Sequence, residues 1–401
     1  MPKILRIINR LNLGGPTFNA ALLSKHLSPE FETMLLAGVR QDSEESSAFI
    51  VEEMGLTFTE LPDMQRAINP VRDYKAYREI VRIIRKYRPD IVHTHAAKAG
   101  ALGRLAAFSE NVPVVVHTFH GHVFHSYFSP AVSKFFQTIE RRLARRTSAV
   151  IALSEKQKSE LSDDYRICPP EKIRVIPLGF DLSRFTLDQE QKRKEFRSQY
   201  FLREDQLAIG IIGRLVPVKN HPMFLEAARQ LLQQYPERLR FFLIGDGESR
   251  GDLIRQCESS GIEHVFFPDT AASASVTFTG WRRDIDTVTA GLDIVALTSW
   301  NEGTPVSLIE AQASGKPVIT TRVGGIENVV RESECARLVP PGDIDSFVSA
   351  LSALIQDPNA RTGTSLMQMR EHVLNQFHYS RLCADMTGLY RELLSEASKK
   401  V

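Results

Sequence analysis

Two glutamates eight positions apart are the first candidates for chemistry in this sequence. Glu302 and Glu310 lie in NEGTPVSLIEAQASG (301–315), and paired carboxylates can act as general acid and base. Thr304 is a good N-cap and Pro305 a good first helical residue, so a helix is predicted to begin between the two glutamates. We therefore expect the two carboxylates to hold different parts of one ligand.

Two further features suit an anion. Val306 and Ser307 have free N–H groups in the first turn of the predicted helix, where the helix dipole favours negative charge. Arg214 ends the apolar run at 207–214, and Lys219 follows five positions later. A guanidinium fork beside an ammonium group matches two linked phosphates. In the simpler interpretation both cations are solvated surface charges.

Histidines are concentrated in one stretch of the chain. Six of the eleven lie between His93 and His125. That density raises a metal site as one interpretation, but no Asp, Glu or Cys stands at ligand spacing within the stretch. His120, just past an apolar run, is a candidate for hydrogen bonding to a ligand. We interpret His93, His95 and His117 as turn or core histidines.

A glycine pair follows the first apolar run. Gly14 and Gly15 come after ILRII (4–8), and Pro16 can occupy the first position of a helix. Free N–H groups at that point would suit an anion. The pair falls short of the GxGxxG dinucleotide fingerprint, so a plain tight turn is the alternative.

Short apolar runs rich in Ile and Val come before these candidates and alternate with helix-length segments. Runs that are apolar on both faces predict a parallel sheet covered by helices, an α/β fold. Such sheets bind ligands beyond the carboxyl ends of their strands. The runs form two sets, at 4–8, 33–39, 90–95, 112–119, 149–154 and 173–179, and at 207–214, 239–247, 275–281, 293–299, 317–321 and 336–341.

The length of 401 residues predicts two domains, which we expect to face each other across a cleft. The polar, charge-rich stretch 179–200 is typical of a linker. We place the first domain at 1–184 and the second at 185–378, followed by a terminal helix at 379–401.

Charge and cysteine content narrow the class of partner. Residues 1–180 hold 25 Lys/Arg against 19 Asp/Glu, and the remainder holds 25 against 29. This tilt fits an anionic membrane surface or a phosphate-bearing partner and falls far short of a nucleic-acid-binding stripe, so we expect no nucleic acid. Four widely spaced cysteines, no signal peptide and no apolar run of about 18 residues predict a cytoplasmic protein.

These segments together resemble the GT-B glycosyltransferases of the family 4 type over nearly the whole chain. IGRLVPVKNH, FLIGDGESRGDL, VTFTGWRRDI, NEGTPVSLIEAQASGKPVIT and RVGGIENVV occur in the family's order, with Glu302 and Glu310 at its E-x7-E signature. VIPLGFDLSRF resembles the segment that crosses between the domains. The resemblance implies two Rossmann-like domains, with the last helix packed back on the first.

The resemblance also implies a nucleotide-sugar donor held mainly by the second domain and an acceptor site in the first. Arg214 and Lys219 would bind the diphosphate, Glu310 the ribose hydroxyls and Glu302 the hydroxyls of the transferred sugar. The other implied donor contacts are Gly280, Trp281 and Arg282 beside the base, Gly14 and Gly15 near the phosphates and sugar, His120 near the reacting carbon, and Gly303, Thr304, Val306 and Ser307 at the helix start.

Charge development indicates the mechanism. Negative charge builds on the leaving diphosphate, so fixed cations would stabilise the transition state selectively, and we expect neither a metal nor a cofactor to be required. The family is retaining and no carboxylate is an obvious nucleophile, which favours front-face displacement. We expect His120, Arg214, Lys219 and Glu302 to be catalytic.

Two features depart from the family pattern. The stretch between the helix ending near Gly261 and the strand at 275–281 is longer than usual. Pro305 has no N–H, so Val306 and Ser307 must supply the amides at the helix start.

The acceptor is expected to be a glycan or a lipid-linked sugar in cell-surface polysaccharide synthesis, with a UDP-sugar favoured as donor and a GDP-sugar as the alternative. Two basic amphipathic segments, 74–87 and 133–146, are of the kind that can lie on anionic lipid. In the other interpretation they are ordinary helices whose apolar faces pack on the sheet.

Three alternatives to a transferase stay open at this point. A nucleotide-sugar epimerase or hydrolase would use the same fold, and it would convert the donor without an acceptor. A non-catalytic sugar-nucleotide sensor would not need Arg214 and Lys219 beside Glu302. A dehydrogenase would rely on IGDGESRG, which lacks the full glycine fingerprint.

Overall fold

The chain forms two compact units, each an α/β structure. Unit 1 comprises Met1–Phe180 and Phe377–Val401, and unit 2 comprises Asp181–Gln376. The computed structural model describes residues 1–11, 15–39, 48–65, 67–120, 130–269 and 274–399.

Unit 1 is built on a sheet of seven strands in the order β3-β2-β1-β4-β5-β6-β7, with every neighbouring pair parallel. The strands are β1 (Lys3–Ile8), β2 (Glu32–Gly38), β3 (Phe58–Leu61), β4 (Ile91–His95), β5 (Val114–Thr118), β6 (Ala149–Ala152) and β7 (Ile173–Val175). The helices are α1 (Gly15–His26), α2 (Ala48–Glu53), α3 (Pro70–Tyr87), α4 (Ala97–Ser109), α5 (Pro130–Arg146), α6 (Glu155–Ser159) and, at the end of the chain, α15 (Tyr379–Ser398).

Unit 2 repeats this plan with the order β10-β11-β9-β8-β12-β13-β14, again parallel throughout. Its strands are β8 (Leu207–Ile212), β9 (Leu239–Ile244), β10 (His264–Phe266), β11 (Val276–Gly280), β12 (Ile294–Leu297), β13 (Val318–Thr321) and β14 (Ala336–Val339). Its helices are α7 (Gln189–Gln199), α8 (His221–Gln234), α9 (Arg250–Ser259), α10 (Ile285–Gly291), α11 (Val306–Ala313), α12 (Ile344–Gln356), α13 (Asn359–Thr362) and α14 (Thr364–Phe377), the last of which ends in unit 1.

The α/β class predicted from the apolar runs is confirmed, and each of the twelve runs overlaps a strand. Two strands were not predicted, β3 and β10. Both lie at an edge of their sheet and are only partly buried. An edge strand of three or four residues needs no continuous apolar run, so hydrophobic pattern alone does not reveal it.

The last helix, α15, contributes to the core of unit 1. Its buried residues Leu382, Met386, Leu389, Tyr390 and Leu393 pack on one face of the sheet, against side chains from β1, β4, β5 and β6. On the other face, α3 and α4 bury their apolar residues. The strand ends that carry the candidate residues are therefore held from both sides.

Candidate functional site

In unit 2, the lysine and the glutamate predicted to contact the donor form an ion pair. The ammonium nitrogen of Lys219 lies 2.6 Å from Oε1 of Glu302. The hydroxyl of Ser299 donates to the same oxygen at 2.5 Å. The Lys219 side chain is 23% exposed and that of Glu302 9%, so solvent and a ligand have more access to the cation than to the carboxylate.

Buried contacts hold the two loops that carry this pair. The buried hydroxyl of Thr298, just past β12, lies 3.0 Å from the carbonyl oxygen of Lys219 and 2.9 Å from that of Asn220. The N–H of Trp300 donates to the carbonyl of Val218 at 2.8 Å. The backbone before Glu302 is thereby tied to the loop that follows β8.

A glycine pair supports the backbone of Glu302 from the other side. The N–H of Gly325 donates to the carbonyl of Glu302 at 2.9 Å. A Cβ on Gly324 would lie 2.0 Å from that carbonyl oxygen, and one on Gly325 1.9 Å from the carbonyl oxygen of Gly303. Only glycine permits so close an approach of two backbone segments, so the segment RVGGIENVV serves to place Glu302.

The helix between the glutamates exists, but its start differs from the prediction. α11 begins at Val306, with Pro305 as its N-cap and no side-chain cap. Thr304 as N-cap and Pro305 as first helical residue are therefore wrong, because it is the Pro305 carbonyl that accepts the first helical bonds, from Leu308 and Ile309. Among the described residues, the N–H groups of Val306 and Ser307 have no partner, as an anion site requires.

Glu310, on the second turn of α11, lies in a different environment from Glu302. Its side chain is 16% exposed, and its carboxylate lies 3.8 Å from the guanidinium of Arg184. Burial raises the pKa of Glu310 to about 7, opposed by Arg184 and assisted by Asp286. A carboxylate with few polar neighbours can accept hydrogen bonds from a ligand's hydroxyl groups.

The remaining predicted residues of unit 2 fall into two groups. Arg214 is exposed and makes no side-chain hydrogen bond within the described part of the chain. Gly280 has a φ of 66°, and Trp281 is 51% exposed. Arg282 is already engaged by Asp284 and by the Tyr200 hydroxyl, at 2.8 and 2.9 Å. Its side chain is thus committed to unit 2, while Arg214 and Trp281 have freedom to bind.

In unit 1, Gly14 lies outside the described residues and Gly15 opens α1. A Cβ on Gly15 would lie 2.9 Å from Leu178 Cδ1. His120 follows β5, and its Nε2 lies 2.9 Å from Nδ1 of the buried His95. Burial lowers the pKa of His120 to about 3, so its ring is neutral at physiological pH.

The histidines interpreted as core residues are buried. His93, His95 and His117 have no exposed surface. Burial is the main reason that the pKa of each lies well below its usual range, and nearby arginine guanidinium groups lower it further. The hydroxyl of Thr94 lies 2.8 Å from His117 Nδ1. Among the described residues, no group of three or more His, Cys, Asp or Glu side chains is arranged to hold a metal ion.

Several site residues escaped the sequence analysis. Ser299 and Thr298 carry no motif and were found only from their contacts. Arg184 lies in VIPLGFDLSRF, which was assigned to the domain crossing, and nothing in that segment indicates its proximity to Glu310. The glycines of RVGGIENVV were part of the resemblance, so that motif was the one available signal.

Comparison with known proteins gives the family. The model for glycosyl transferases group 1 matches residues 206–357, and that for glycosyltransferase family 4 matches residues 23–184. The chain is 30% identical over 338 residues to the UDP-Gal:alpha-D-GlcNAc-diphosphoundecaprenol alpha-1,3-galactosyltransferase of Escherichia coli, covering 83% of each protein. The chain therefore belongs to the family 4 glycosyltransferases and is a transferase enzyme.

Other relatives agree in fold and class. The D-inositol 3-phosphate glycosyltransferase of Jonesia denitrificans is 31% identical over 323 residues, which are 77% of this chain and 73% of that protein. The crystal structure of Anabaena Alr3699/HepE in complex with UDP superposes with a TM-score of 0.80 at 20% identity, covering 97% of this chain and 100% of the other. The fold is thus GT-B, as the resemblance implied.

Proposed function

We propose that the protein is a retaining, metal-independent glycosyltransferase that moves a sugar from a UDP-sugar to a lipid-linked saccharide. The Lys219–Glu302 pair, beside a helix whose first N–H groups are free, is the observation that carries this proposal. Bound donor separates the pair: Lys219 turns to the diphosphate, and Glu302 accepts hydrogen bonds from the sugar hydroxyls. Lys219 and Glu302 therefore each have a partner in both states: they pair with each other in the empty enzyme and with the donor in the loaded enzyme.

The proposed reaction proceeds by displacement on one face of the sugar. The acceptor hydroxyl oxygen bonds to the anomeric carbon on the side from which UDP departs. The bond from that carbon to the β-phosphate oxygen breaks, and the acceptor proton passes to the β-phosphate. Arg214, Lys219 and the N–H groups of Val306 and Ser307 stabilise the charge that develops on the phosphates. His120 donates a hydrogen bond to the transferred sugar.

Metal independence is supported by the ion pairs that the carboxylates just after β11 form. Asp284 and Asp286 have the spacing of a metal-binding DxD motif. Asp284 is bound by Arg282, and Asp286 lies 2.9 Å from the ammonium nitrogen of Lys192. Both carboxylates are thus neutralised by cations of unit 2, and the proposed counter-charge for the diphosphate comes from Arg214 and Lys219.

The donor and the acceptor are proposed from the relatives. The Escherichia coli galactosyltransferase uses UDP-Gal and a diphosphoundecaprenol-linked GlcNAc by its name. The Jonesia denitrificans protein acts on D-inositol 3-phosphate by its name, a small soluble acceptor. Unit 1 has exposed apolar side chains beside cations, and this favours the lipid-linked class.

Two helices of unit 1 expose apolar side chains near their first turns. On and before α3, Ile68 is 67% exposed, Val71 67% and Tyr74 59%. On α5, Phe135 is 62% exposed. Both helices begin at the carboxyl edge of the sheet, where His120 lies. Further along α3 the apolar face is buried, so the interpretation as an ordinary packed helix holds for residues 80–84.

Cations flank these exposed side chains, including Arg72, Lys75 and Lys134. Apolar tips beside basic residues are suited to the headgroup region of anionic lipid. We propose a peripheral, cytoplasmic position at the membrane, reached through the first turns of α3 and α5. Within the described residues, no helix is long and apolar enough to cross a bilayer.

The reaction is tested with the full-length protein, UDP-galactose, UDP-glucose or GDP-mannose, and a short-chain GlcNAc-diphospholipid or inositol phosphate as acceptor. We expect transfer from a UDP-sugar to the lipid, a product with the donor's α configuration by NMR, and unchanged rates in EDTA. An inverted product contradicts retention, and loss of activity in EDTA contradicts metal independence. Conversion of donor without acceptor would instead establish an epimerase or hydrolase.

Membrane association is tested by sedimentation with vesicles of phosphatidylglycerol and phosphatidylcholine. Replacing Val71 and Tyr74 by Ser should release most of the bound protein without lowering its thermal stability, because both side chains are exposed. The matched control is Met367→Ser, which removes a similarly exposed apolar side chain, 61% exposed, from unit 2. Equal binding by wild type and the double variant would contradict the proposed surface.

A further inference from the structure

A buried arginine in unit 1 has hydrogen-bond partners but no carboxylate. Arg6, in the middle of β1, has no exposed surface. Its Nη1 lies 2.9 Å from His93 Nδ1 and 3.3 Å from His95 Nε2, and its Nη2 lies 3.5 Å from the Tyr390 hydroxyl. Among the described residues these are its side-chain partners. Burying a guanidinium without a carboxylate partner costs several kcal/mol of folding free energy. A functional role for Arg6 would explain that cost.

The position of these residues follows from the sheet. Arg6 pairs in register with His93, and Ile8 with His95. Side chains two apart on a strand share a face, so Arg6, His93 and His95 lie together on the α15 side, where Tyr390 packs. His120 continues this row beyond the carboxyl end of β5.

The chemistry of the guanidinium determines which ring nitrogens are protonated. Arginine donates hydrogen bonds and accepts none. His95 Nε2, facing Arg6 Nη1, must therefore carry a lone pair. Because His95 is neutral, its proton lies on Nδ1, and that N–H donates to His120 Nε2 at 2.9 Å.

The same reasoning extends to His120. Its Nε2 accepts from His95, so the single proton of the neutral ring lies on Nδ1. Nδ1 of His120 is buried and has no hydrogen-bond partner among the described residues. A buried N–H without a partner is rare and costly, and it marks the direction in which a ligand oxygen would satisfy the ring.

We propose that Arg6 is a positioning residue that acts through His95 to fix His120 in the tautomer with its proton on Nδ1. His120 then meets the donor sugar as a hydrogen-bond donor. This inference rests on the proposed contact of His120 with that sugar. It adds that a residue two side chains away from the substrate decides which way that hydrogen bond runs.

The branch through His93 does not reach His120. Tyr390 lies 2.6 Å from His93 Nδ1, and His93 Nε2 lies 2.8 Å from the Thr118 hydroxyl. Substituting Tyr390 by Phe therefore disturbs the same buried cluster while leaving the Arg6–His95–His120 chain intact. It is the matched control for the packing consequences of a change at Arg6.

The tautomer is measured directly in the full-length protein labelled with 15N-histidine. Long-range proton–nitrogen spectra distinguish a protonated Nδ1 from a protonated Nε2, and the His120 signals are assigned from a His120→Ala sample. We expect the Nδ1–H form in wild type, in Arg6→Lys and in Tyr390→Phe. Arg6→Met should shift His120 toward the Nε2–H form. An unchanged tautomer in folded Arg6→Met would overturn the inference.

If Arg6→Met does not fold, His95→Gln and His95→Phe carry the same test. Glutamine can accept from Arg6 and donate toward His120, so it should keep the Nδ1–H form, whereas phenylalanine can do neither and should lose it. Identical His120 spectra in both variants would contradict the relay.

Activity gives a second readout. Losing one donor hydrogen bond should lower kcat/KM for the UDP-sugar about tenfold in Arg6→Met, with recovery in Arg6→Lys. In the His120→Ala background, Arg6→Met should have no further effect, since both act on one hydrogen bond; a further tenfold loss there would show a general structural role and overturn the inference. Wild-type activity of His120→Ala would refute the proposed sugar contact, while the spectra would still decide the relay.

Discussion

The two units share one sheet architecture but differ in where they place charge near the candidate residues. In unit 1, β1 and β4 carry Arg6, His93 and His95 in their buried interiors. In unit 2, β8 and β12 carry only glycine and apolar residues, and the charges come after the strands end. A buried network is preorganised before a ligand arrives, whereas charges past the strand ends can exchange partners. The difference predicts that charge removal affects chiefly folding in unit 1 and turnover in unit 2.

The largest effect is expected at Lys219. Lys219→Ala removes the proposed counter-charge of the leaving diphosphate and should lower kcat by about 10²–10³-fold. Thermal stability should fall less than at Arg104, because Lys219 is 23% exposed and Glu302 keeps the hydrogen bond from the Ser299 hydroxyl. Steady-state transfer assays and a thermal scan separate the two quantities. Turnover within threefold of wild type would remove Lys219 from the mechanism.

At Arg104 we expect a loss of folding stability instead of turnover, similar in free energy to the effect of Lys219→Ala on turnover. This residue of α4 has no exposed side-chain surface and lies 2.6 Å from Glu140 of α5. Arg104→Met strands the carboxylate of Glu140, so unit 1 should lose about 3–5 kcal/mol of stability. Hydrogen exchange resolved by segment should show faster exchange in α4 and α5 and little change in unit 2. Replacing both Arg104 and Glu140 by Met should restore part of the loss.

Glu310 of unit 2 should affect both folding stability and donor binding. Its native pKa of about 7 exceeds the ordinary value of 4.5, so the unfolded chain releases this proton first and the stability of the folded protein falls as pH rises from 4.5 to 7. Glu310→Gln should raise the stability of the ligand-free protein at pH 8 by about 1 kcal/mol or more and weaken UDP-sugar binding about tenfold.

The pH dependence checks the same assignment. In wild type, UDP affinity measured by calorimetry should decline as pH falls through about 7, because the protonated carboxyl accepts fewer hydrogen bonds from the ribose. Glu310→Gln should lack that decline. A pH profile shared by both proteins would contradict the role given to Glu310.

The smallest effect is expected at an exposed pair away from the site. Arg229 and Glu226 of α8 are 2.6 Å apart, and each side chain is 35% exposed. Arg229→Gln should alter stability by less than about 0.5 kcal/mol and leave turnover unchanged. A marked loss of activity here would mean that turnover in unit 2 responds to charge in general and would weaken the conclusion drawn from Lys219.

Much of the candidate site could be predicted because its residues stand in patterns of local sequence. Glu302, Glu310, Arg214 and Lys219 follow apolar runs, and parallel strands bring their carboxyl ends to one edge. The helix between the glutamates was predicted one residue early. Pro305 is a favourable first helical residue but took the N-cap position instead, and helix ends are the part of a helix that local sequence specifies least.

Sequence alone determined the α/β class, the strands with continuous apolar runs and the family motifs, since each is a pattern of nearby residues. Tertiary structure alone decided that Lys219 pairs with Glu302, that Gly325 supports Glu302 and that Arg6 reaches His120 through His95. These contacts join residues from 23 to 89 positions apart. Their partners depend on which strands become neighbours, and no local periodicity encodes that choice.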